Sequence, residues 1–237
     1  MRRTTKTVIF HLLMAGACLG GRAAWRWQLR WGATAAEQRR ALPGDASVSA
    51  PNLQATRAVG IAAPPDAVWP WVAQIGQDKA GFYSYDWLER AAGLPVDNAD
   101  SVVPEWQDPH VGDPVNLAED MALRVAVAEP GRALVLVRPS AEAGPAGFPP
   151  FEFSWAFTLE PEGPTGTRLV VRERYVWLKW RSGAVVRLAA WVSFFMSRRM
   201  LLGIRARSER AWRERVEEPL DCAVGDVLDA DLAAPPA

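Results

Sequence analysis

From residue 54 onward, apolar and polar positions alternate with two distinct periods, and the switch between them predicts the order of elements. A period of two begins at Thr56 and places Arg57, Val59 and Ile61 on one face of a strand. Pro64-Pro65-Asp66 ends that strand and opens a helix, with Val68, Trp69, Val72 and Ile75 at helical spacing. A second helical patch runs from Tyr85 to Ala92 and stops at Gly93, with Pro95 just beyond. Strands return at Leu123–Val127, a turn at Glu129-Pro130-Gly131-Arg132, and a strand at Leu134–Arg138. The strongest alternation places Phe151, Phe153, Trp155, Phe157 and Leu159 on one face of a strand. A hairpin turn over Pro161–Gly166 then leads to Leu169, Val171, Glu173, Tyr175 and Trp177 on one face of the next. Gly183–Val216 contains no proline and reads as one helix, about 50 Å long at 1.5 Å per residue. Strands joined by tight turns predict an antiparallel meander, and the whole reads as an α+β fold.

The flanks are different. Residues 1–31 begin with a basic leader (Arg2, Arg3, Lys6), continue with an apolar run over Val8–Gly21 interrupted by His11, and end with interleaved Trp and Arg. The apolar run is 14 residues, short of the roughly 20 a spanning helix needs. Arg22, Arg26 and Arg30 form one helical stripe beside Trp27 and Trp31, a pairing suited to the headgroup layer. The segment reads foremost as a membrane anchor. A cleaved signal peptide, with Ala-Gly-Ala before Cys18, and a helix packed on the domain are the alternatives. A lipoprotein box at Cys18 is weaker, because Ala15 stands where leucine is usual. Residues 32–53 read as a linker, 54–216 as the folded domain and 217–237 as an acidic, disordered tail.

Formal net charge is zero, yet residues 1–40 carry +7 and residues 216–237 carry −6. A basic head with more bases after the apolar run than before it suits an anionic lipid surface and a domain on the cytoplasmic face. Eight dispersed bases on a neutral chain argue against nucleic acid. Two Cys and two His exclude a disulfide framework and multi-histidine metal chemistry, and no phosphate loop or nucleophile elbow is present, so no cofactor is expected.

The element order resembles the helix-grip fold of the START/Bet v1-like (SRPBCC) superfamily, which includes polyketide cyclases/dehydrases and lipid-transfer domains. Ile61-Ala-Ala-Pro-Pro-Asp-Ala-Val-Trp-Pro-Trp-Val is similar to that superfamily's strand-to-helix opening. Gly81-Phe-Tyr-Ser-Tyr-Asp-Trp-Leu-Glu, Val103-Pro-Glu-Trp-Gln-Asp and Phe153-Ser-Trp-Ala-Phe resemble a bacterial branch of it. The resemblance spans residues 54–215. It implies a curved antiparallel sheet wrapped around a long C-terminal helix, two short helices after the first strand, and an apolar cavity between sheet and helix.

In such a cavity the rings of Phe153, Trp155, Phe157, Tyr175 and Trp177 are wall candidates. Arg138 and Glu173 share the inward face and are candidates for a buried pair, since a buried carboxylate needs a partner. Tyr83 and Tyr85 are hydrogen-bonding candidates near the mouth. Glu105 and His110 are the acid–base candidates, set in a proline-rich loop where solvation is the ordinary state. The expected partner is a hydrophobic small molecule or lipid, bound rather than transformed, with residues 1–31 on a membrane. Cyclase/dehydrase chemistry at Glu105 and His110, and a non-catalytic protein-interaction module, are the alternatives. Ala184–Met196 is apolar almost all round, so something besides the sheet covers it: the N-terminal helix, the bilayer, or a second subunit in a homodimer.

Overall fold

A computed structural model describes residues 2–85, 98–118, 121–138, 151–177 and 180–232, with side chains described from Met14 and from 16 onward as far as 217, except at 180–182 and 184. Six strands form one sheet: β1 (Leu53–Ile61), β2 (Pro114–Ala118), β3 (Met121–Glu129), β4 (Ala133–Arg138), β5 (Phe151–Glu162) and β6 (Gly166–Trp177). Their order is β1-β6-β5-β4-β3-β2 and every pairing is antiparallel. Among the described residues four helices accompany it: α1 (Arg2–Gln28), α2 (Ala35–Arg39), α3 (Pro65–Ala73) and α4 (Trp180–Leu232). The antiparallel meander is the one the alternation predicts, and α4 packed across it gives the helix-grip architecture that the resemblance implies.

The alternating residues of the two long hairpin strands lie where their period places them. Phe157, Leu159, Leu169 and Val171 are buried against α3 and α4, together with Val59 and Ile61 of β1 and Leu134 and Leu136 of β4. α3 starts with Pro65 at its first turn, where no backbone donor is lost, and buries Val68, Trp69, Trp71 and Val72. A short 3-10 turn, Pro104–Trp106, follows the second connection, and edge strand β2 opens with Pro114, a position where the missing N–H leaves no ladder bond unmade. The patch read as helical over Tyr85–Ala92 lies, apart from Tyr85, outside the described residues.

Three boundaries differ from the sequence reading. Residues 25–31 are part of the domain: the Thr56 and Ala58 amides donate to the Leu29 and Trp31 carbonyls at 2.8 and 3.1 Å, covering the free edge of β1. Residues 32–53, read as a linker, wrap the outer face of the sheet. Thr34 and Glu37 form a capping box for α2, Leu42 packs with Ala58 and Val170, and Val48 is buried. Three arginines of β6, on its outward side, hold this wrap. Arg168 donates to Glu37 at 2.7 Å; Arg172 donates to Asp45 at 2.6 Å and to the Arg40 and Glu37 carbonyls; Arg174 donates to the Asp45 carbonyl at 2.8 Å. α4 runs on through Pro219 to Leu232, taking in the acidic stretch read as a disordered tail; one proline removes a single backbone donor and can kink a helix without ending it.

The Arg168 hydrogen bond and charge hold the Glu37 carboxyl at about 2, against an ordinary 4.5, over the opposing effect of burial. A carboxyl depressed in the folded state adds stability above its unfolded value, and that stability is lost as pH falls. The stability gap between the native chain and Glu37→Gln, read from urea melts, should be full at neutral pH and close between about pH 4.5 and 2. A gap independent of pH over that window would contradict the ion pair.

Candidate functional site

Between the inner sheet face and α4 lies a cavity of about 560 Å³, the size of a small-molecule site. Phe151, Phe153 and Trp155 of β5 and Tyr175 of β6 supply one wall, and Met196 and Met200 of α4 the other. Ala189 and Val192 of α4 also line it and are exposed, so they form its rim. Polar groups are few: Glu173, Ser84, Ser193 and Ser197, with the indole and phenol of Trp155 and Tyr175.

Glu173 organises this side of the cavity. The register of β1 on β6 pairs Arg57 with Val171, which brings the guanidinium diagonally onto the neighbouring Glu173 of the same face. Arg57 Nη1 donates to Glu173 Oε1 at 2.6 Å, with both side chains almost fully buried. Ser197 donates to the same oxygen at 2.7 Å; Ser193 and the Tyr175 hydroxyl donate to Oε2 at 2.8 and 3.0 Å. Two donors on each oxygen fill the carboxylate's ordinary acceptor capacity. Burial pushes the Glu173 carboxyl up, but the Arg57 charge and the three hydroxyls outweigh it and hold the group below the carboxylate range. Burial and the adjacent Glu173 charge raise the Tyr175 hydroxyl well above its ordinary value, so it remains a donor. On its other side Arg57 donates to the Gln28 carbonyl at 3.1 Å and to Gln28 Oε1 at 3.3 Å, at the C-terminal, negative end of α1.

The expected pairing of Glu173 with Arg138 is therefore corrected: the partner is Arg57. Arg138 lies opposite Phe153 on β4, two strands from Glu173, where Nη1 donates to the Phe151 carbonyl at 2.8 Å and the guanidinium sits 4.8 Å from the Phe151 ring centre. Among the other residues singled out in the sequence, Phe153, Trp155, Glu173 and Tyr175 line the cavity, whereas Phe157 is packed solidly in the core. Tyr83 is also core. Its backbone is left-handed, at φ 53°; its amide donates to Asn98, and its hydroxyl accepts from Gln74 Nε2 at 3.0 Å. Gly203 of α4 crosses directly over it: a Cβ there would stand 2.6 Å from the Tyr83 carbonyl oxygen. Tyr85 lies beneath Arg199, 5.7 Å from ring centre to guanidinium. Glu105 and His110 are exposed and neither lines the cavity; the His110 Nε2 lies 3.5 Å from Asp108.

Sequence reasoning missed Arg57, Ser193 and Ser197. The signals were present: Arg57 shares a face with Val59 and Ile61, and the two serines, four apart in an apolar helix, mark one polar line. Trp155 Nε1 and the Ser84 hydroxyl are buried without a hydrogen-bond partner among the described residues.

No family model matches the sequence, and no curated protein does. Solved structures do. A Mesorhizobium loti protein is 20% identical, with 65% of this chain and 97% of that one covered at a TM-score of 0.39. The Zhui aromatase/cyclase from Streptomyces sp. R1128 is 18% identical, covering 67% and 94% at 0.38. A polyketide-cyclase-like protein from Corynebacterium glutamicum is 18% identical, covering 64% and 88% at 0.35.

Glu173→Gln should cost about 3–5 kcal/mol in urea unfolding, because it leaves Arg57 as an uncompensated buried cation. The double variant Arg57→Met/Glu173→Gln removes both charges at similar volume, and the hydroxyls of Ser193 and Ser197 can turn to accept from the amide. It should recover most of the loss; a double variant as unstable as the sum of its singles would show the two residues to be uncoupled.

Proposed function

We propose that this chain binds a hydrophobic small molecule or lipid in the cavity beneath α4, at a membrane surface to which residues 1–24 attach it. The observation that carries the reading is the cavity itself: about 560 Å³ walled by aromatic, leucine and methionine side chains beside a closely packed apolar core. The one carboxylate among its described lining residues is already saturated, which supports holding a ligand rather than acting on one. Glu105 and His110, the acid–base candidates, stand outside it in solvent.

The membrane part of the reading is supported by α1. No described helix is long and apolar enough to cross a membrane, so the helix attaches at the interface on this reading. Met14 and Leu19 are exposed, and Gly16, Gly20 and Gly21 have no neighbouring atom within 4 Å of an added Cβ. Where α1 meets the domain, Arg26, Arg30 and Arg39 line a second hollow of about 440 Å³, a basic patch matched to anionic headgroups.

The chain lacking residues 1–22 keeps every contact of residues 25–31 with β1, so it should fold, leave the membrane fraction and carry a co-purifying apolar species visible by native mass spectrometry. Ala189→Trp, at the exposed rim, should lose that species without loss of thermal stability. An empty protein whose melting temperature is unmoved by a panel of fatty acids, sterols and phospholipids would sink the binding reading. A truncated chain still in the membrane fraction would sink the anchor.

A further inference from the structure

The N-terminal half of α4 carries an apolar stripe that the rest of the fold leaves uncovered. Val185, Leu188, Val192 and Phe195 are 41%, 73%, 48% and 52% exposed, and their spacing of three, four and three puts them on one helical face. Its opposite flank is taken by α1. Trp25 packs on Trp191 with ring centres 6.1 Å apart, Trp27 on Phe194 at 5.1 Å, and Arg198 lies over Trp31 at 5.2 Å. The Trp25 and Trp27 contacts, and the Trp31 contact just beyond α1, advance together with the α4 residues, so α1 and α4 run parallel. The exposed Met14 and Leu19 of α1 therefore lie toward the same end of the domain as the exposed stripe. Val192 belongs to both the stripe and the cavity rim, and the exposed Ala189 beside Leu188 lines the cavity as well.

We infer that this face of α4 docks on an anionic bilayer and sets the cavity mouth against the lipid, so that ligand passes between bilayer and cavity without crossing water. The inference rests on the reading above. Charge decides between lipid and a second copy of the chain. Residues 2–36 contain no acid, and α4 has six arginines before its first acid, Glu209. A second copy would bring one acid-free helix face bearing Arg199 onto another, whereas phosphate headgroups neutralise Arg199, which continues the stripe four residues after Phe195, while the acyl region takes the apolar side chains.

The test uses the full chain with Cys18 and Cys222 changed to serine and a single cysteine introduced as Phe195→Cys, labelled with an environment-sensitive nitrobenzoxadiazole. A second version carries the label through Arg132→Cys on the β3–β4 turn, 74% exposed. With phosphatidylglycerol-containing vesicles, the label at 195 should brighten about threefold and shift to the blue, while the label at 132 stays in water. Co-sedimentation with the 195 label unchanged would overturn the inference and leave α1 as the sole contact. A label at 195 that is protected without vesicles, in proportion to protein concentration, would overturn it in favour of a second copy. Leu188→Glu/Phe195→Glu should slow exchange of a fluorescent sterol between vesicles by about tenfold or more, yet keep its binding from solution. Loss of solution binding in both native and variant chains would instead count against the cavity reading.

Discussion

The buried pair of Arg57 and Glu173 constrains the rest of this molecule. Taking two charges out of water costs several kcal/mol per ion, and only near-complete hydrogen bonding offsets it. Here the partners come from four elements: Gln28 at the end of α1, Arg57 on β1, Glu173 and Tyr175 on β6, and Ser193 and Ser197 on α4. Each must keep its place for the carboxylate to stay satisfied. The spacing between sheet and α4 is thus set at this point by short polar contacts rather than by interlocked apolar side chains. Beside it the helix stands off from Phe153, Trp155 and Tyr175, and that gap is the cavity.

The same network makes α1 part of the body. Its last turn is held to Arg57 by two hydrogen bonds, the backbone that follows pairs with β1, and Trp25 and Trp27 pack on α4. Whatever the exposed half of α1 binds is therefore held in a fixed direction relative to the cavity. On the outer face Arg168, Arg172 and Arg174 play the corresponding role, fastening residues 32–53 to a sheet surface that would otherwise face water.

The faces of the strands were legible in the sequence because a period of two needs only local information, and β5 carries it over Phe151–Leu159 and β6 over Leu169–Trp177. The neighbours were not. Pairing Glu173 with Arg138 assumed that residues on one face meet, but β4 is two strands from β6, roughly 10 Å away, whereas β1 is adjacent. That adjacency closes a contact 116 residues apart in sequence, which no local pattern reports. Residues 32–53 failed for a related reason. Their turn residues read correctly as turns, but the arginines that hold them sit at outward positions of β6, where charge ordinarily signals solvent. β2 was missed because Pro114 and Asn116 are poor strand formers, and an edge position tolerates both.

A saturated carboxylate also shapes what the cavity can accept. Glu173 needs nothing from a ligand, and with Arg57 beside it the pair presents no net charge. A ligand that brought its own ion would give up hydration and meet no free counter-charge among the described lining residues. The polar atoms left over are of another kind. Trp155 contributes an indole N–H and Ser84 a hydroxyl, both buried in residues of the cavity wall and both without a partner among the described residues. An unsatisfied buried donor costs about 1–3 kcal/mol, and that cost is relieved by an acceptor oxygen arriving with the ligand or with water. On the binding reading proposed above, wide aromatic walls, a neutralised charge pair and spare donors together suit an uncharged apolar molecule with a carbonyl, ether or hydroxyl oxygen.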